Sequence, residues 1–113
     1  MNRRQVVCNL DEIKDGSARG FEFGEGSSVL NIFIVRQGKD VYAYKNSCPH
    51  TGVTMNWQPD QFLDTSEEYI QCSLHGAIFR IEDGYCVQGP CAGNALTVIP
   101  ASLQDNQIIC EIA

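Results

Sequence analysis

The sequence predicts an all-β fold, a small sandwich or barrel, and three observations predict it. Apolar residues fall in short runs punctuated by turn residues. One pair of runs, Val29–Arg36 and Val41–Lys45, flanks Gln37-Gly38-Lys39-Asp40, a hairpin signature. No window of about 11 to 18 residues carries a helical period.

The strands are expected in this order. Arg4–Asn9 opens the chain and gives way to the polar stretch Asp11-Glu12-Ile13-Lys14-Asp15-Gly16. Phe21-Glu22-Phe23 alternates apolar and polar until Gly24-Glu25-Gly26-Ser27-Ser28 breaks it. After the hairpin come Tyr69–Cys72 and Ala77–Ile81, and then Glu82-Asp83-Gly84 turns the chain into Tyr85-Cys86-Val87. Ala95–Ile99 and Gln107–Ile112 supply the last two strands, parted by a polar turn at Asp105-Asn106. The segment from Pro49 to Ser66 is long for a loop and has no strand pattern, and loops of that length in compact domains tend to be functional.

A chain of 113 residues suits one domain, and 43% hydrophobic against 19% charged residues marks it as globular. The net charge of −6 and the absence of a basic patch exclude a nucleic-acid binder and fit docking on a basic partner surface. No apolar run approaches the roughly 20 residues of a membrane span. The apolar residues after Arg3-Arg4 are too few for a signal-peptide core, so a cytoplasmic location is expected. In that compartment thiols stay reduced, which argues against reading the six cysteines as a disulfide framework.

The chemistry concentrates in Cys48-Pro49-His50 and Cys72-Ser73-Leu74-His75. The chain has two histidines, and each lies two or three residues after a cysteine, with Gly52 and Gly76 close behind. Buried cysteines and hydrogen-bonded core histidines would account for one such pair, but poorly for both. Two metal sites compete for these ligands. A structural Cys2His2 zinc site takes four N/S ligands tetrahedrally. The usual zinc patterns group like ligands together, whereas here each half carries one of each. That division allows the cysteines to hold one iron of a two-iron centre and the histidines the other.

The pattern C-x-H followed by C-x-x-H resembles the signature of the Rieske family, and the similarity extends beyond it. Gly89-Pro90 falls where the family has a proline loop covering its cluster, and Ala95–Pro100 is similar to its closing strands. The resemblance implies a single Rieske domain over residues 1–113, with two cluster-binding loops and a [2Fe-2S] cofactor. Cys48 and Cys72 would ligate the inner iron, and His50 and His75 the outer, more exposed one. It also implies a soluble, non-catalytic electron carrier whose partners are a reductase and a terminal oxygenase or similar enzyme. A small subunit of a nitrite-reductase-like complex is the alternative within the family.

Several positions depart from the family pattern. The 21 residues between His50 and Cys72 make a long spacer. Respiratory relatives carry an extra cysteine in each ligand loop, where this chain has Val53 and Leu74, so that disulfide is not expected. Cys8, Cys86, Cys91 and Cys110 then read as free thiols packed as small hydrophobes, with Cys86 and Cys91 a candidate pair on oxidation. High-potential members place serine and tyrosine hydroxyls two and four residues after the second histidine; here those positions are Ala77 and Phe79. With Asp60, Asp64, Glu67 and Glu68 also unbalanced, a potential toward the low end of the range is expected. Trp57 and Phe62, in the long loop, are read as packing anchors in preference to partner contacts.

Overall fold

The computed structural model describes residues 3–23, 30–46, 62–63, 68–71, 77–89 and 93–112. Among them, ten strands form three antiparallel sheets, as the all-β reading requires. The first sheet joins β1 (Arg3–Asn9), β10 (Gln107–Ile112) and β9 (Ala101–Gln104) in the order β1-β10-β9. The second has the order β2-β3-β4-β8, from β2 (Ala18–Phe23), β3 (Leu30–Gln37), β4 (Asp40–Lys45) and β8 (Val98–Ile99). The third, β5-β6-β7, is built from β5 (Tyr69–Gln71), β6 (Ile78–Arg80) and β7 (Cys86–Gln88).

The four-stranded sheet lies in the middle, and β3 shows why. Its run Ile32-Phe33-Ile34-Val35 is fully buried, although side chains of a strand alternate between faces. Phe33 and Val35 join one core with Tyr44, Phe62, Ile70, Phe79, Ile81 and Cys86, which belong to or adjoin the β5-β6-β7 layer. Ile32 and Ile34 join a second core with Cys8, Leu10, Ile13, Ile108 and Cys110 on the β1-β10-β9 side. A strand covered on both faces reads as a continuous apolar run, and this one is. Complete burial of each such side chain contributes on the order of 1.5–3 kcal/mol.

Three turns set the register. Gln37 pairs with Asp40, so the expected hairpin closes through Gly38 and Lys39, with Gly38 at φ +64°. Asp105 and Asn106 both take positive φ between the paired Gln104 and Gln107, the primed hairpin turn that suits twisted strands. Asn106 then holds the short 3₁₀ turn Leu10–Glu12, its carbonyl accepting from the Leu10 N–H at 2.8 Å. Gly84, after the Ile81–Asp83 turn, is one position where a side chain has no room: an added Cβ would lie 2.8 Å from the Tyr44 ring, at φ +72°. Tyr44 is itself fixed by its hydroxyl, which donates to the Ile81 carbonyl inside the core.

The structure corrects the sequence reading at the C-terminal end. Three strands follow residue 94 where two are expected, because Ala101–Gln104 pairs with β10 directly after Pro100. The expected strand Ala95–Ile99 shrinks to Val98–Ile99, with Ala95 in an isolated bridge to Tyr85. At the other end β2 begins earlier than expected, at Ala18, whose partner is Val35.

Cys8, Cys86 and Cys110 are free and buried, as the small-hydrophobe reading requires, while Cys91 lies outside the described residues. Burial pushes the Cys8 thiol from its ordinary value of 9.0 up to about 11; Glu12 adds to this and Arg19 opposes it. Burial, then the neighbouring Cys8, raises Cys110 to about 11 as well. Below pH 9 both thiols are protonated, folded or unfolded, and their packing contributes fully. From about pH 9 to 11 the unfolded chain ionises first, so stability falls as pH rises. Urea midpoints measured between pH 8 and 10.5 should decline. A Cys110→Ala chain should decline less steeply; an equal slope would refute this account. Burial raises the Tyr44 phenol too, so a common residual slope remains in both proteins.

Candidate metal centre

The predicted ligands Cys48, His50, Cys72 and His75 lie outside the described residues, as do Val53, Trp57, Leu74 and Pro90. The structure does describe where the chain enters and leaves the segments that carry them, and all of these points except the start of the first segment fall along one row. Gln71, the residue before Cys72, donates its N–H to the Phe62 carbonyl at 2.9 Å. Gln71 also pairs with Ile78, and Ile78 pairs with Gln88. A row of residues 62, 71, 78 and 88 therefore crosses one end of this layer. The chain returns to that row after the first ligand segment, leaves and regains it around the second, and departs once more toward Pro90.

The row is fixed from both sides. Phe62 is 1% exposed and stacks on Phe33 with ring centroids 4.5 Å apart and planes at 11°. This is packing, as expected for that residue, and it ties the end of the long segment to the middle sheet. On the other side Gly89 lies directly against Ala77. At Gly89, with φ +100°, an added Cβ would come within 2.8 Å of the Ala77 Cα. Only glycine tolerates both the backbone conformation and the approach. The residue opening the Gly-Pro segment is thus in contact with the residue closing the second ligand segment.

The first ligand segment departs from the other layer. At the end of β4, Lys45 donates to the Thr97 carbonyl at 2.9 Å, and the next residue, Asn46, to the Asn31 carbonyl at 2.8 Å. Ala77 and Phe79, two and four residues after His75, are fully buried in the core beneath the row. Both are apolar where a hydroxyl would act as a donor.

Two thiols and two imidazoles carried on segments that share this row fit an iron–sulfur centre with mixed ligation. Among the described residues, no group of three or more His, Cys, Asp or Glu side chains is placed to hold a metal. Cys86 faces the core and its Sγ donates to the Gln88 carbonyl at 3.3 Å, while Cys8 and Cys110 sit in the other core. The described thiols thus offer no competing centre. Gly89 was legible as part of a Gly-Pro pair, but its contact with Ala77 was not, because it depends on the bulged pairing of β6 with β7.

Comparison with known proteins agrees with this arrangement. The family model of the Rieske [2Fe-2S] domain matches residues 3–110. No curated protein sequence matches. Among solved structures, the ferredoxin of carbazole 1,9a-dioxygenase from Nocardioides aromaticivorans IC177 is 22% identical with a TM-score of 0.76, covering 97% of this chain and 98% of that one. A Mycobacterium tuberculosis protein assigned as an NADH-dependent nitrite reductase small subunit is 20% identical, with a TM-score of 0.71 over 100% and 97% of the two chains. The terminal oxygenase of carbazole 1,9a-dioxygenase from Novosphingobium sp. KA1 has a TM-score of 0.80 at 22% identity, over 99% of this chain but 30% of that one. These structures share the fold. The match over residues 3–110, carrying both halves of the ligand pattern, makes the chain a member of the Rieske [2Fe-2S] domain family, and membership implies a Rieske-type [2Fe-2S] cluster.

Proposed function

We propose that Cys48 and Cys72 hold the inner iron of the cluster and His50 and His75 the outer one. On this reading residues 1–113 act as a single cytoplasmic electron-carrier domain. When bound, such a cluster takes up and releases one electron, and histidine ligation leaves it less negative by about two charges than four thiolates would. The protein's part is to place the ligands, exclude water on the core side and leave the histidine side open to a partner. The observation that carries this reading is the shared row, to which the first ligand segment returns and at which the second begins and ends.

The carrier is proposed to work between a reductase and a terminal oxygenase or similar oxidoreductase. A matched ferredoxin belongs to such a dioxygenase system and aligns with this chain over nearly its full length. A role as the small subunit of a nitrite-reductase-like complex is a second reading, favoured by the full-length alignment with the M. tuberculosis protein. Catalysis by the chain itself is disfavoured. A mononuclear iron site would need two further histidines, and His50 and His75 are the only ones in the sequence. The deciding experiment is elemental and spectroscopic. The purified protein should contain two irons and two acid-labile sulfides per chain and a visible absorption that bleaches with one electron. A colourless protein with stoichiometric zinc would support the structural zinc site instead.

The potential is proposed to lie toward the low end of the roughly −150 to +300 mV Rieske range. Burial of Ala77 and Phe79 in an apolar core supports this, because neither can donate a hydrogen bond that would stabilise the reduced centre. Voltammetry of the native protein and of Phe79→Tyr should show an upward shift in the variant. A native midpoint above about +150 mV would contradict the low-potential reading, and an unshifted variant would contradict the hydroxyl argument.

A further inference from the structure

The outer face of β5-β6-β7 has no part in the core. Ile70, Phe79 and Cys86 point inward and are buried, so alternation turns their neighbours outward. Tyr69 pairs with Arg80 across β5 and β6, and the Arg80 N–H bonds to the Tyr85 carbonyl on the far side. Tyr69, Arg80 and Tyr85 thus form one ladder across the sheet, with Ile78 and Val87 beside it toward the row that anchors the second ligand segment. Tyr69 is 38% exposed, Tyr85 40% and Val87 46%. The other large hydrophobic residues exposed among the described ones, Val6 and Val98, stand singly on other sheets.

Local contacts hold the side chains of the ladder. The Arg80 guanidinium binds the Asp83 carboxylate at 2.5 and 3.1 Å and lies 5.1 Å from the Tyr85 ring centroid. Asp83 also accepts the Tyr85 N–H at 3.0 Å, which holds the pair in register. Aromatic and arginine side chains that are already ordered supply contact area at low entropic cost.

Charge indicates what the face would meet. Between Ser47 and Ala92 the sequence has six acidic residues and one basic one, so this segment carries −5 of the chain's −6. The one basic residue is Arg80, neutralised by Asp83, and the Glu82 side chain is exposed beside the ladder. The rest of the chain, with 8 acidic and 7 basic residues, is nearly neutral.

We infer that this face is a docking surface for a redox-partner protein whose contact patch is apolar at its centre and ringed by Lys or Arg. The inference rests on the electron-carrier reading. The sheet supplies the contact area beside Gln71 and Ile78, the paired residues between which the second ligand segment runs. The exposed Glu82 carboxylate beside the ladder attracts a basic partner, so encounter should weaken with salt.

The test uses the cluster-loaded protein and oxidised cytochrome c, whose haem edge is ringed by lysines, as the probe. Reduction by the native protein is followed by stopped flow at several ionic strengths. It is compared with Tyr85→Ser/Val87→Ser, Glu82→Lys and, as a control on another sheet, Val98→Ser. A small neutral quinone serves as an acceptor that needs no docking. The double variant should lose at least about tenfold in its second-order rate toward cytochrome c. Glu82→Lys should slow the reaction and flatten its salt dependence, while Val98→Ser and all rates toward the quinone stay unchanged. Unchanged cytochrome c rates in both variants overturn the docking surface. An equal loss toward the quinone also overturns it, because the cluster itself is then disturbed. A protein without iron overturns the carrier reading, and this assignment with it, and is recognised by its colour before any kinetics.

Discussion

Cys72→Ala and His75→Ala are each expected to yield a colourless chain that retains half of its architecture. Under the proposed ligation each variant removes one of four ligands, and iron content should fall from two per chain to near zero. The loss should be confined because, among the described residues, the core between the β1-β10-β9 and middle sheets is built from Cys8, Leu10, Ile13, Ile32, Ile34, Ala43, Ile108 and Cys110. Hydrogen exchange should therefore show β1, β3 and β10 still protected, with protection reduced in β5 and β6, which flank the second ligand segment. Either variant keeping full iron would remove that residue from the ligand set. Loss of protection throughout would mean that the cluster is a condition of folding for the whole chain.

Gly89→Ala has the next largest expected effect, and it tests the row itself. A non-glycine residue at φ +100° costs about 1–3 kcal/mol. The added Cβ would also stand 2.8 Å from the Ala77 Cα, so one backbone must move away from the other. Gly93 provides the control, since it has φ +94° but nothing within 4 Å of an added Cβ. Gly93→Ala should show the conformational cost alone. Gly89→Ala should be less stable than Gly93→Ala in urea and should lose iron on gel filtration. Equal midpoints and full iron in both would show that the contact with Ala77 does not support the centre.

Much of the molecule is legible without coordinates. The hairpin through Gly38 and the turn at Asp105-Asn106 follow from local chemistry, since glycine, aspartate and asparagine accept the positive φ that these turns require. The ligand pattern is equally local: two cysteines and two histidines divided evenly between two segments specify a donor set before any fold is known. β9 escapes the sequence reading for a local reason as well. Ala101-Ser102-Leu103-Gln104 is short, follows a proline and has little apolar content, and it becomes a strand because β10 offers it a partner.

The order of the layers was decided elsewhere. The run Ile32–Val35 announces a strand buried on both faces, but which residues cover each face depends on pairings far apart in sequence. Phe33 receives Phe62 and Ile34 receives Ile108 because β1 and β10 close one face and the β5-β6-β7 layer closes the other. The same long-range pairing brings residues 62, 71, 78 and 88 into line and sets Gly89 on Ala77. The sequence by itself determined the donor chemistry and the β character, because both reside in residue types and short spacings. Only the tertiary structure decided where the ligand segments are anchored and which acidic, aromatic face lies beside them, because strand partners are selected by burial across the whole chain.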